Sequence, residues 1–302
     1  MDMTKILIIG ASAAGHTTAL KVREKDPESQ ITIVTEEPYP AYDRRRLFEF
    51  LCQEIKEEEL FLCNKDFYGQ NRIEFLKGKK ASSVNTSRRT VSFKDKESLS
   101  YDYLVIASGA RFIVPEIPGA KKTGVFVFSG LDDIKSFMSN FINDSLCIVG
   151  SSRQALNMAQ ALKKRFQVDV TIISDRAFDS SVLPRGVEVI KGFVQEMVGE
   201  GLVQAVILKG GRTVAAQAVV FMDTLAGNAD FIKNSNLNMQ GDFISVDADF
   251  KTSVKGIYAV GSVSRKSQGP AVNKGWDECV NEGVEFAEKF FKNIKEEPCP
   301  TY

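Results

Sequence analysis

The sequence predicts an α/β protein with two doubly wound units, and three observations carry that prediction. An apolar run ending in a glycine turn, then a helix, then a second apolar run occurs at residues 5–36 and again at residues 145–173. Short β-type runs dominate the stretches outside these copies, and one long helical segment closes the chain. At 302 residues and 43% hydrophobic content the chain can bury a substantial core, enough for roughly two domains.

In chain order, KILIIG (5–10) is a continuous apolar strand, Ala13 to Lys25 a helix and ITIVTE (31–36) a second strand. TVSF (90–93) and YLVIAS (103–108) are the next strands, and the prolines of VPEIPG (114–119) separate them from the second β-helix-β segment. There the helix starts at Arg153 and runs to Lys164. VEVI (187–190), AVILK (205–209), AVVFM (218–222), FISVD (243–247) and GIYAV (256–260) read as short strands. A helix from about Trp276 to Asn293 ends the pattern.

Composition excludes several functions. Lys plus Arg and Asp plus Glu both number 39, so no global field attracts nucleic acid or an anionic membrane. No apolar stretch approaches the ~18 residues of a membrane helix, and the N-terminus runs directly into a strand without a leader pattern. We therefore expect a cytoplasmic chain without membrane insertion and without a nucleic-acid partner. Five cysteines, an odd number with no C-x-x-C pair, argue against a disulfide framework and against a metal site. His16, the one histidine, has no nucleophile or acid beside it in sequence, which predicts a packing or solvated role.

ILIIGASAAG places Gly10, Ser12 and Gly15, with Ala13 and Ala14 between, after a buried-type strand and at the start of a helix. Gly10 permits the tight turn, a small residue at 12 admits a pyrophosphate to the backbone, and Gly15 lets helix and strand pack closely. Glu36, or its neighbour Glu37, ends the second strand where a carboxylate can accept hydrogen bonds from an adenosine ribose. These residues predict a dinucleotide site.

Four stretches in order, GASAAG, then EEPYPAYDRRRL (36–47), YDYLVIASGARFIVPEIPG (101–119), and TSVKGIYAVGSV (252–263) followed by WDECVNEG (276–283), carry a resemblance that spans nearly the whole chain. The sequence resembles the pyridine nucleotide-disulfide oxidoreductase superfamily of FAD enzymes, on its rubredoxin/ferredoxin reductase and nitrite reductase flavin-domain branch. That resemblance implies two Rossmann-like domains: an FAD domain in two segments, 1–112 and 243–302, and an inserted NAD(P)-type domain at 113–242. The family's third, C-terminal interface domain is not expected. It implies further that Gly10, Ser12 and Gly15 hold the pyrophosphate and Glu36 the ribose, with Arg44 against the adenine side. Ala107, Ser108 and Gly109 pass close to the cofactor, and Gly261 approaches the flavin's sugar chain. Trp276 stands at the mouth of the flavin site or is a core residue starting a helix. The helix beginning near Asn281 to Gly283 points its positive end at the pyrimidine edge, where reduced flavin is anionic.

Several positions depart from that family. Ser262 stands where an Asp usually bonds a ribityl hydroxyl, which predicts weaker FAD binding. Glu49 occupies the place of a Lys near flavin N5, and no redox Cys lies near Tyr42, the nearest being Cys52, so disulfide reductase activity is not expected. In the second turn, CIVGSSRQAL (147–156), the glycines at two of three positions are replaced by Ser152 and Ala155, and Asn157 replaces a Glu. Ile173 to Val187 is too short for a loop plus a full crossover helix, and MDTLAGN (222–228) keeps only Asn228 of the loop that faces a nicotinamide. Together these put direct NAD(P)H use in doubt. The expected function is an FAD oxidoreductase or electron-transfer flavoprotein subunit working with a redox protein or a larger electron-transfer complex. The alternatives are an NAD(P)H-dependent rubredoxin/ferredoxin-type reductase and a non-catalytic FAD scaffold or sensor.

Overall fold

The computed structural model describes residues 3–141, 145–179, 183–268 and 273–296. Its helices are α1 (Ala13–Lys25), α2 (Leu47–Leu51), α3 (Phe67–Gln70), α4 (Leu131–Asn140), α5 (Arg153–Phe166) and α6 (Trp276–Glu296). The chain divides into two compact units: residues 1–43, 61–110 and 226–302 form the first, and residues 44–60 and 111–225 the second.

In the first unit five parallel strands lie in the order Ile257–Ala259, Tyr103–Ile106, Lys5–Ile9, Gln30–Thr35, Ile73–Lys77. Strand alternation divides the core between two faces. Ile6, Ile8, Ile31, Ile33 and Val105 pack with Ala19 and Val22 of α1 and with Phe286 and Phe290 of α6. Leu7, Ile9, Val34, Leu104 and Ile106 pack on the opposite face with Val84, Val91 and Phe93 of a small antiparallel sheet. A sheet buried on both faces needs apolar residues at every position, which is why KILII and YLVI read as unbroken apolar runs.

The second unit repeats the plan, with parallel strands ordered Val187–Lys191, Asp169–Ser174, Ser145–Val149, Ala218–Phe221, Val125–Val127. One face is covered by an antiparallel three-stranded sheet through Met197, Val206, Leu208 and Val214. On α4, Phe137 gathers Phe126, Phe128, Phe141 and Phe166 around it, with ring centroids 4.7–5.8 Å apart. Strand 187–191 pairs directly with strand 169–174, and no helix occurs among the described residues between them.

The unit bounds differ from 112/113 and 242/243. Residues 44–60 group with the second unit, where Leu51 is fully buried and the Cys52 thiol donates to the carbonyl of Ala161 at 3.4 Å. Ala229, Ile232 and Leu237 belong to the first unit's core, so the chain returns there at Ala226.

Candidate functional site

The turn after the first strand is closed by backbone. Gly10 has φ +110°, and its N–H donates to the carbonyl of Val34 at 2.7 Å. A Cβ on Gly10 would lie 2.2 Å from the carbonyl oxygen of Ala107, and one on Gly15 would lie 1.9 Å from that of Gly10. Only glycine fits either position, and the contact it allows brings the first turn of α1 against the strand. Ser12 is the N-cap residue but makes no side-chain capping bond, while Ala13 and Ala14 are buried.

Two further segments meet this turn. Ala107 is buried beside Gly15; Ser108 Oγ donates to the carbonyl of Asn228 at 2.7 Å, and Asn228 Nδ2 returns a bond to the carbonyl of Ser108 at 2.9 Å. Gly109 has φ +74° and open space where a Cβ would stand. Gly261, also at φ +74°, would carry its Cβ 2.7 Å from that of Ala14. The structure thus brings Gly10, Ser12 to Gly15, Ala107 to Gly109 and Gly261 to one end of α1. That cradle of small residues at a helix N-terminus fits a diphosphate, because the first N–H groups of a helix have no partner within it and the dipole there favours an anion.

Beside Gly261 lies a charge cluster that sequence patterns did not single out. Lys274 Nζ bonds Glu282 (2.8 Å to Oε1), the Gly261 carbonyl (3.0 Å) and Ser264 Oγ (2.8 Å). Glu282 Oε2 accepts the N–H of Gly261 at 2.8 Å. Arg265, 6% exposed, lies 3.7 Å from the ring centre of Phe243 and donates to the carbonyls of Ser262 and Ser264 and to Asn273 Oδ1. Ser262 Oγ is 3.3 Å from Cys279 Sγ, whose thiol burial pushes up in pKa. These residues are separated in sequence by a loop, so no periodic signal joins them.

Other sequence-predicted positions stand differently. Helix α6 begins at Trp276, not near Asn281 to Gly283, and Trp276 is half-buried against the first unit's core. Gly283 therefore lies in the second turn of α6, where a Cβ would stand 2.9 Å from the carbonyl of Ala14 and from Thr17 Cβ; it is a helix-packing glycine. Glu36 is exposed and pairs with Lys80, whereas Glu37 accepts from the Tyr42 hydroxyl at 2.6 Å. Arg44 belongs to the second unit, donating to the carbonyl of Ser129, and Glu49 pairs with Arg46 at 3.0 Å.

The second turn differs in its donors. Gly150 donates to Ile173 at 2.9 Å without a positive φ, and Ser152 caps α5 by accepting the N–H of Ala155 at 3.2 Å. Ser151 Oγ bonds Asp223 at 3.2 Å. Asp175 follows strand 169–174, and its buried Oδ1 has no hydrogen-bond partner among the described residues, with Arg176 Nε 3.8 Å away.

The cysteines offer no redox pair among the described residues. Cys52, Cys63, Cys147 and Cys279 are free thiols, and burial raises the pKa of each; Cys299 lies outside the described residues. His16 Nδ1 is 2.8 Å from the Tyr68 hydroxyl, and burial lowers its pKa. Among the described residues no cluster of His, Cys, Asp and Glu could hold a metal, and no helix is long and apolar enough to cross a membrane.

Comparison with known proteins gives a consistent set. The family described as Pyridine nucleotide-disulphide oxidoreductase matches residues 4–281. The benzene 1,2-dioxygenase system ferredoxin–NAD(+) reductase subunit of Pseudomonas putida is 27% identical over 277 residues, covering 86% of this chain and 67% of that protein. The NADH-rubredoxin oxidoreductase of Clostridium acetobutylicum is 25% identical over 266 residues, covering 87% of this chain and 69% of that protein. Among solved structures, the covalent putidaredoxin reductase-putidaredoxin complex has a TM-score of 0.84 at 20% identity, covering 96% of this chain and 76% of that chain, a likeness of fold. Both curated names include a nicotinamide cofactor, so the doubt over NAD(P)H drawn from the altered second turn finds no support among them.

Proposed function

The chain belongs to the pyridine nucleotide-disulphide oxidoreductase family, and from that premise we propose that it is an FAD-containing oxidoreductase passing electrons between NADH and a redox protein. The single observation that carries the reading is the glycine cradle: a Cβ would strike backbone at both Gly10 and Gly15. The first unit is read as the FAD domain and the second as the nicotinamide domain.

The N–H groups at the start of α1 would hold the diphosphate, and Glu36 or Glu37 would accept from the adenosine ribose. Glu36 would leave Lys80 to do so, a small cost because both side chains are largely exposed. Ser108 and Asn228 brace the backbone beside the cradle through their paired hydrogen bonds. Bound FAD supplies a ring that takes up and releases electrons, which no side chain here can do. Burial raises the pKa of Cys52, Cys63, Cys147 and Cys279, which disfavours the thiolate that a cysteine relay would need.

Asp175 supports NADH as donor. It stands after the second strand of its βαβ unit, as Glu36 does in the first, with an oxygen that has no hydrogen-bond partner among the described residues. A carboxylate there accepts from ribose hydroxyls and repels a 2′-phosphate. A redox-protein partner is supported by the names of the relatives, two of which act on ferredoxin or rubredoxin. A second reading, in which a protein and not NADH delivers the electrons, is favoured by Ser152, which already occupies the Ala155 donor that a pyrophosphate would use.

Anaerobic stopped-flow reduction of the FAD-loaded protein distinguishes these. NADH is expected to reduce the flavin with saturating kinetics and to outpace NADPH. Slow, non-saturating reduction by both, with complete reduction by dithionite, would replace the first reading by the second. Protein that acquires no flavin absorbance would remove both.

A further inference from the structure

We infer that the partly buried cluster of Lys274, Glu282 and Arg265 sets how strongly this protein favours the reduced over the oxidised state of a bound flavin. The inference rests on the FAD reading above and adds to it a residue-level control of redox potential.

The cluster is built into the ligand cradle. Gly261 touches the first turn of α1 through Ala14, and both of its backbone polar groups are taken by the ion pair: Glu282 accepts its N–H and Lys274 bonds its carbonyl. Lys274 and Glu282 are each only 13% exposed, and Arg265 is 6% exposed. The charge of Glu282 also reaches Arg265. Two cations thus face one carboxylate in a poorly solvated place, leaving an excess positive charge. Asp277 and Glu278, in the first turn of α6, are exposed, so water and salt screen them.

A largely desolvated ion pair that served only to hold the turn would cost desolvation for little net stability. The excess cation is better matched by an anion that the protein alone does not contain. Uptake of two electrons and one proton by the isoalloxazine adds one negative charge to the ring. A fixed positive charge lying within the cradle then stabilises the reduced state more than the oxidised one, and weak local screening enlarges the difference. The midpoint potential reports this difference, because its shift from that of free FAD is set by the logarithm of the ratio of affinities for the two states.

The test is the midpoint potential of FAD bound to the wild-type protein, Lys274→Met and Glu282→Gln, measured by equilibrium titration against a reference dye. FAD affinity and the melting temperature of the flavin-free proteins are measured alongside. Lys274→Met is expected to weaken binding of reduced FAD at least tenfold more than that of oxidised FAD, a fall of about 30 mV for a two-electron couple. Glu282→Gln keeps an acceptor for the Gly261 N–H but removes the negative charge, so its potential should rise. Potentials that stay at the wild-type value, or that move the same way in both variants, overturn the inference and reduce the pair to a structural strut. If Lys274→Met does not fold, Glu282→Gln decides alone: a rise supports the inference and anything else overturns it. Failure of the wild-type protein to take up FAD overturns this inference together with the FAD reading.

Discussion

At Gly15 a methyl group has nowhere to go: the nearest obstacle is the carbonyl oxygen of Gly10, held by the turn itself. Gly15→Ala is therefore expected to cost about 1–3 kcal/mol in urea denaturation and to abolish flavin binding, read as loss of flavin absorbance after incubation with FAD. His16, one residue on, yields a pH prediction. Burial lowers its pKa below the ordinary 6.5, so the folded state disfavours the proton that the unfolded chain accepts. Its contribution to stability is full above pH 6.5 and declines as pH falls from there toward the folded value. The melting temperature of the wild-type protein should drop between pH 7.5 and 5.5 by more than that of His16→Asn; equal drops would refute the argument. Gly10 and Gly15 were legible in sequence because backbone geometry admits one residue type there. Lys274 and Glu282 were not, because charged residues are tolerated almost anywhere on a surface and only the folded chain reveals that these two are mostly shielded from water.

Helices α1 and α5 begin with the same strand-to-turn plan but end their N-termini differently. Ser152 caps α5, so Ser152→Ala is expected to destabilise the protein by about 1 kcal/mol, measured by chemical denaturation. On α6 the decisive contact is Gly283 against Ala14 and Thr17. Gly283→Leu should separate α6 from α1, lowering the melting temperature and weakening FAD binding, whereas a solvent-facing Glu288→Ala should do neither. The parallel strands and α1, α5 and α6 were readable from apolar runs and helical periodicity. Strand 81–85 (ASSVN) was not, because a polar edge pattern resembles a loop, nor was α4, whose N-cap is Gly130 in place of a Ser, Thr, Asp or Asn. Gly283 was visible as part of a motif, but its contact with Ala14 and Thr17 follows from which face of α6 it occupies.

Each unit of the molecule has its own parallel sheet and its own core. Calorimetry should therefore resolve two transitions, and saturating FAD should raise one of them, by ~2.7 kcal/mol of added stability at a hundredfold excess over Kd. A single transition that FAD shifts as a whole would show that the units unfold together. The first unit is also assembled from three stretches of chain, the last of which supplies strand 257–259, Gly261 and α6. On the ribosome the residues of the second unit are all made by position 225, while the sheet of the first still lacks its edge strand and its closing helix. The nascent chain must then carry an apolar sheet face that α1 and α6 share, with the α6 part still uncovered, through much of its synthesis. With the first unit read as the FAD domain, flavin capture must await the synthesis of strand 257–259, Gly261 and α6.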